Sequence, residues 1–157
     1  MVAAGKDVLS ILSTVSANHK VESLASTLSQ LTRWMGSDLA EVEAGLTKIE
    51  HRDTPVHDSA RHLLGQKGKR LRPLCVALAA RVGSGFDAAA RELAIAVELV
   101  HSATLLHDDV IDLGDKRRGV DTARVIYGNA GSIYAGDWLL VDALRRIARV
   151  GIPGLLD

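Results

Sequence analysis

From Ala88 to Leu106 the chain is apolar on nearly every side and contains neither glycine nor proline. An unbroken run of that length exceeds an ordinary strand and reads as a helix. A helix that is apolar all round cannot face water and needs other helices about it. This one segment therefore demands a helical enclosure, and the rest of the sequence supplies one. Glycine and proline cluster at a few points between stretches of helical periodicity, and no sustained period-two alternation appears. The pattern predicts an all-α fold, a helical bundle.

The helix boundaries follow from capping chemistry. Val8, Leu9, Ile11 and Leu12, then Leu24, Leu28 and Leu31, recur at helical spacing within residues 5–35. A break falls near His19 and Lys20, and Gly36 ends this N-terminal helical segment, residues 1–36. Ser37 and Asp38 can cap a new helix with Leu39, Val42, Leu46 and Ile49 as its stripe. Thr54-Pro55 is another start signal, followed by Ala60, Leu63 and Leu64. Gly65 and Gly68 bracket a loop, and Leu71 to Val82 reads as a helix with Pro73 in its first turn. Asp87 caps the long helix, which runs to about Leu113. Asp121 to Tyr127 is expected as a short helical turn. The last helix opens at Asn129 or Ser132 and runs to about Val150.

Composition removes several classes of function. The 19 basic and 19 acidic residues balance to a formal net charge of zero, which argues against a nucleic-acid binder. Aromatic residues make up 3%, too few for a base-stacking platform. The single Cys75 cannot form an internal disulfide and fits a reducing, cytoplasmic setting. Between Leu74 and Val76 it is expected to be a buried packing residue. No apolar stretch approaches a transmembrane length, and the N-terminus makes a poor secretory signal.

The chemistry concentrates at residues 107–119, His-Asp-Asp-Val-Ile-Asp-Leu-Gly-Asp-Lys-Arg-Arg-Gly. Asp108 and Asp112 lie four apart and so share one helix face, where two carboxylates can hold a hard cation. Steps of three and four lead back from Asp108 through Leu105 to His101 and Glu98. His101 is therefore on the same stripe as the two aspartates. The plain alternative is a solvated charge run beside a core histidine, but this run interrupts an apolar helix. Upstream, Gly68-Lys69-Arg70-Leu71-Arg72-Pro73 puts three cations at a loop-to-helix junction. Such a helix N-terminus favours phosphate. Metal-binding acids beside phosphate-binding bases point to diphosphate chemistry.

Gly-Lys-Arg-Leu-Arg-Pro, then Glu-Leu-Val-His-Ser-Ala-Thr-Leu-Leu-His-Asp-Asp-Val-Ile-Asp with Arg-Arg-Gly, resembles the front half of a trans-isoprenyl diphosphate synthase (polyprenyl synthetase). Gly136-Asp137-Trp138-Leu139-Leu140 is similar to a later family segment, so the motifs span roughly residues 65–142. The resemblance implies an isoprenoid synthase fold, with residues 37–157 forming part of that domain. It implies that Asp108 and Asp112 bind Mg²⁺ bridging to an allylic diphosphate, with Asp109 in support. It implies that Arg117 contacts the allylic diphosphate, and that Lys69, Arg72, His101 and Arg118 hold the diphosphate of isopentenyl diphosphate. The reaction implied is head-to-tail prenyl transfer. Bulky side chains a turn before the Asp-rich motif end elongation in this family. Here Ala103 and Thr104 stand there, implying a product of hexaprenyl to decaprenyl length. The resemblance also implies a homodimer or heteromer when complete, with membrane contact only through the product.

The family's second Asp-rich motif has no counterpart in these 157 residues, since Asp115, Asp121, Asp137, Asp142 and Asp157 form no paired set. One side of the metal site is then missing, and the isolated chain is expected to have little or no activity. It is also expected to leave the apolar face of the 88–113 helix partly uncovered, favouring association. A non-catalytic fragment or partner subunit is the alternative. A further one is an HD-type metal phosphohydrolase, in which His107-Asp108 would be joined by His57, His62 or His101. It leaves Asp112 and both basic clusters without a role.

Overall fold

The computed structural model describes residues 8–50, 52–66 and 68–155. The start of the N-terminal helix expected near residue 5 lies outside the described residues. Six helices are seen there: α1 (Val8–Asn18), α2 (Glu22–Thr47), α3 (Pro55–Leu64), α4 (Leu71–Val82), α5 (Ala88–Ile111) and α6 (Ala123–Val150). A two-stranded antiparallel hairpin, β1 (Lys116–Arg117) and β2 (Val120–Asp121), links α5 to α6. The all-α class holds, the helix starts at Pro55 and Ala88 are those that the capping signals specify, and α4 starts at Leu71 as expected, though without a side-chain cap. Thr54 Oγ1 accepts from the His57 N–H at 3.4 Å, and Asp87 Oδ1 accepts from the Ala90 N–H at 2.8 Å.

Three expectations about local structure are corrected. Helix α2 passes through Gly36 without stopping, and Asp38 caps nothing. One exposed glycine in a helix costs only about 1 kcal/mol. Met35 and Asp38 on either side are buried, and Asp38 is held by Arg81 of α4 at 2.6 and 2.7 Å. Tertiary contacts therefore carry the helix across. The hairpin has no signature in the sequence, because two-residue strands are too short to show a period. Cys75 is exposed rather than buried. Helix α4 buries Pro73, Leu74 and Ala77, and position 75 projects about 100° away from Leu74. The expected split of the last helix does occur, as a kink at Gly128 (φ 79°, ψ 165°) within one continuous element.

The core gathers around α5. Val42 and Leu46 of α2, Leu63 of α3, and Leu139 and Ala143 of α6 enclose Ile95, Leu99 and Leu106. A second cluster of Leu9, Met35, Leu74 and Ala77 joins α1, α2 and α4. Small residues allow close approach. A side chain at Gly45 would strike Ile95, and one at Gly136 would strike the His107 ring. Ser132 Oγ, fully buried, donates to the Leu106 carbonyl at 2.8 Å and ties α6 to α5. Helix α5 is thus well covered over its middle, while Ile111 in its last turn and Leu113 just past it are open, which is the partial exposure expected of the 88–113 segment. The largest group of open apolar side chains is on α6, and it includes Ile126, Ile133, Tyr134, Leu140, Val141 and Leu144. Among the described residues no helix is long and apolar enough to cross a membrane.

Candidate diphosphate and metal site

Helix α5 ends where the acidic motif lies. Asp112 is its C-cap, the Gly114 N–H donates to the Asp109 carbonyl at 2.9 Å, and the Leu113 N–H reaches the Val110 carbonyl at 3.4 Å. This is the Schellman arrangement, with leucine at the left-handed position usually given to glycine (φ 53°). Asp108 and Asp112 are exposed on the stripe that also carries half-buried His101 and exposed Thr104. Asp109 is buried and accepts a forked ion pair from Arg117, at 2.8 Å to Nη2 and 3.2 Å to Nε. Ala103 is also buried, in the core cluster rather than on the open stripe.

The hairpin places the second basic group. Arg118 and Gly119 form its two-residue turn, with φ of 53° and 80°. Positive φ at both central positions is what a tight hairpin of right-handed twist requires, and glycine supplies it without strain. Three contacts lock the hairpin down. Thr122 Oγ1 donates to the Gly114 carbonyl at 2.7 Å, and His62 Nε2 of α3 donates to the Asp121 carbonyl at 2.8 Å. Arg118 Nη1 reaches the Gln66 carbonyl at 3.4 Å, so the hairpin rests on the α3–α4 loop. The two basic clusters, 44 residues apart from Arg72 to Lys116 in the numbering, thereby become neighbours.

Within the first cluster the structure separates residues that the sequence lists together. Lys69 and Arg72 are exposed. Arg70, between them, is inserted into the protein with its side chain 13% exposed. It pairs with Glu43 of α2 at 2.9 and 3.0 Å and with Glu98 of α5 at 2.8 Å, and it donates to the Leu64 carbonyl at 3.2 Å. His101 senses the whole assembly. Burial, together with the charges of Arg72, Arg117 and Arg118, holds its imidazole below the usual histidine range, and Glu98 opposes this. Four of the five diphosphate-site residues expected from the sequence therefore share one electrostatic environment, and Lys69 lies three positions before one of them, Arg72. The sequence does not show Glu43 as a partner, Arg70 as turned inward, or His62 as a brace for the hairpin. Their signal is tertiary, whereas Glu98, the other partner of Arg70, is legible on the His101 stripe.

Among the described residues, no three of His, Cys, Asp and Glu are grouped closely enough to hold a metal ion by themselves. Mg²⁺ usually takes one or two carboxylates and completes its shell with phosphate oxygens and water. Asp108 and Asp112 with a diphosphate fit that donor set. His107 does not join them. Its Nε2 donates to the Ile133 carbonyl at 3.2 Å and lies 3.3 Å from Asp137 Oδ1, both on α6. The phosphohydrolase alternative loses its adjacent ligand pair in this way.

The polyprenyl synthetase family model matches residues 53–157. The chain belongs to this family. It is 40% identical over 127 residues to heptaprenyl diphosphate synthase component 2 of Geobacillus stearothermophilus, covering 80% of this chain and 40% of that one. It is 44% identical over 121 residues to nonaprenyl diphosphate synthase of Mycobacterium tuberculosis, covering 71% and 36%. Polyprenyl synthase from Caulobacter crescentus, crystallised with calcium and isoprenyl diphosphate, superposes with a TM-score of 0.73 at 37% identity, over 80% of this chain and 38% of that one. The chain thus spans about two fifths of the length of these relatives, along the isoprenoid synthase architecture expected from the motifs.

Proposed function

We propose that this chain carries the diphosphate- and Mg²⁺-binding half of a prenyl-transfer centre that condenses isopentenyl diphosphate with an allylic diphosphate. One observation carries the reading: His101, whose imidazole is depressed by the charges of Arg72, Arg117 and Arg118, stands on the helix stripe of Asp108 and Asp112. Lys69, Arg72, His101 and Arg118 bind the isopentenyl diphosphate. Arg117, anchored by Asp109, directs its remaining N–H groups at the allylic diphosphate. Asp108 and Asp112 would hold Mg²⁺, which would supply positive charge to offset the negative charge developing on the departing diphosphate. The allylic C–O bond breaks and its electron pair leaves with diphosphate, where the fixed cations of this site are most stabilising. The isopentenyl double bond attacks the allylic carbon, and the resulting cation loses a proton to restore an alkene.

The expected product is of hexaprenyl to decaprenyl length. Thr104, on the open stripe, is the better residue for testing this, because a large side chain at buried Ala103 would disturb the core first. In a synthase carrying these residues, Thr104→Phe shortens the product. An unchanged product distribution rejects the assignment. The 157 residues hold one Asp-Asp-x-x-Asp, so turnover of farnesyl and isopentenyl diphosphates by this chain is expected to be trace at most. Binding tests the site directly. Inorganic pyrophosphate is expected to bind the chain in calorimetry, more tightly with Mg²⁺ by about tenfold, equivalent to 1.4 kcal/mol. The Mg²⁺ effect disappears in Asp108→Ala/Asp112→Ala. Absence of pyrophosphate binding, with or without Mg²⁺, refutes the reading.

A partner-subunit role is the second reading, favoured by the open apolar face of α6. Association with a complete synthase in size-exclusion chromatography, without turnover by the chain itself, distinguishes it.

A further inference from the structure

The buried arginine between the two exposed cations has no role in the binding scheme above. Arg70 reaches three helices at once: α2 through Glu43, α3 through the Leu64 carbonyl and α5 through Glu98. Its backbone is left-handed (φ 47°) at the N-cap of α4, a conformation that costs a non-glycine residue about 1–2 kcal/mol. The side-chain contacts are what hold this geometry. The turn they enforce sends the flanking side chains of Lys69 and Arg72 outward while Arg70 points inward.

Glu98 makes the arrangement more than a strut. It is 6% exposed and lies one helical turn before His101 on α5. A carboxylate there would repel a diphosphate unless a cation neutralised it. Arg70 Nη1 does so at 2.8 Å. Burial opposes the charge on Arg70, but Glu43 and Glu98 outweigh it and keep the guanidinium firmly protonated.

We propose that Arg70 is a positioning residue for the diphosphate site: it fixes the loop that presents Lys69 and Arg72 opposite His101, and it masks the Glu98 carboxylate from the bound anion. The inference rests on the diphosphate reading of this site, which supplies the ligand. It follows that the planar fork of Arg70, and not its charge alone, sets affinity. A lysine cannot bridge Glu43, Glu98 and the Leu64 carbonyl together.

The experiment measures pyrophosphate binding by calorimetry to the unaltered chain, Arg70→Lys, Arg70→Met and Arg70→Met/Glu98→Gln, with circular dichroism and thermal melting on each. Arg70→Lys is expected to keep its helical content and to bind pyrophosphate about tenfold more weakly. Arg70→Met is expected to be weaker still. Adding Glu98→Gln recovers part of the loss, because no unmasked carboxylate then faces the anion. The His101 ring titration, followed by NMR, separates positioning from mere support. Its groups are Glu98 on α5, Arg72 on α4, and Arg117 and Arg118 on the hairpin. Unmasking Glu98 in Arg70→Met moves the His101 midpoint upward, and Arg70→Met/Glu98→Gln moves it back. If Arg70→Met does not fold, Arg70→Lys decides. Pyrophosphate affinity and His101 titration in folded Arg70→Lys equal to those of the unaltered chain overturn the proposal. If the unaltered chain itself binds no pyrophosphate, the diphosphate reading fails instead.

Discussion

His101 occupies an unusual position for a histidine proposed to bind an anion. Burial and the neighbouring arginines hold it below the ordinary value of 6.5, so it is mostly neutral near pH 7 without a ligand. A diphosphate placed among those arginines reverses the balance of charge and raises it. Binding of pyrophosphate near neutral pH should therefore take up a proton. Calorimetric enthalpies in buffers of different ionisation enthalpy should reveal the uptake, and His101→Gln should abolish it. Leu113 makes a separate point. It holds φ of 53° at the C-terminal cap of α5, where glycine has no steric penalty, and its side chain is 67% exposed. Leu113→Gly should raise stability by about 1 kcal/mol in urea unfolding, since relief of strain exceeds the added backbone entropy. Stability unchanged or lowered would mean that the loop accommodates leucine without strain. Both residues were visible in the sequence. The neutral state of His101 was not, because it depends on arginines from α4 and the hairpin.

At the level of elements, glycine has opposite meanings in α2 and α6. Gly36 is exposed in mid-helix with open space where a Cβ would go. Gly36→Ala should stabilise the chain by about 0.5–1 kcal/mol through helix propensity. Gly136 is buried against the His107 ring, which a Cβ would displace. Gly136→Ala should destabilise by about 1–3 kcal/mol and loosen the α5–α6 contact below the acidic motif. Thermal melts of the two variants, shifted in opposite directions, check the pair. The sequence alone treats both residues as breakers, and it was misleading at Gly36 because propensity is weak beside packing. Capping signals proved more reliable. Thr54-Pro55 and Asp87 mark their helices correctly because their side chains or rings act within three residues. The hairpin is not legible in the sequence because its two-residue strands are fixed by Thr122 and His62, which lie outside its turn.

For the whole molecule, the ion pairs joining helices set the response to acid. The Arg81 guanidinium hydrogen-bonded to buried Asp38 holds that carboxyl below its ordinary 3.8. A carboxyl lowered in the folded state stabilises above the unfolded value and loses that contribution as pH falls through the lower folded one. His101, also lowered, favours the unfolded chain once pH falls below 6.5, where the unfolded imidazole binds a proton first. Stability should thus decline in two stages on acidification, near neutrality and then below pH 3.8. His101→Gln should remove the first stage and Asp38→Asn the second, as read by urea midpoints across pH. The sequence determined the helical class, the family and the acidic and basic motifs. Those depend on period, capping and residue type over a few positions, which are local properties. Only the tertiary structure decided that α2 runs on through Gly36, that α6 carries the largest open apolar face, and that Arg70 turns inward while Lys69 and Arg72 turn out. Each of these depends on which side chain meets a partner distant in the chain, and a buried ion pair or a close helix contact outweighs the local preference that the sequence displays.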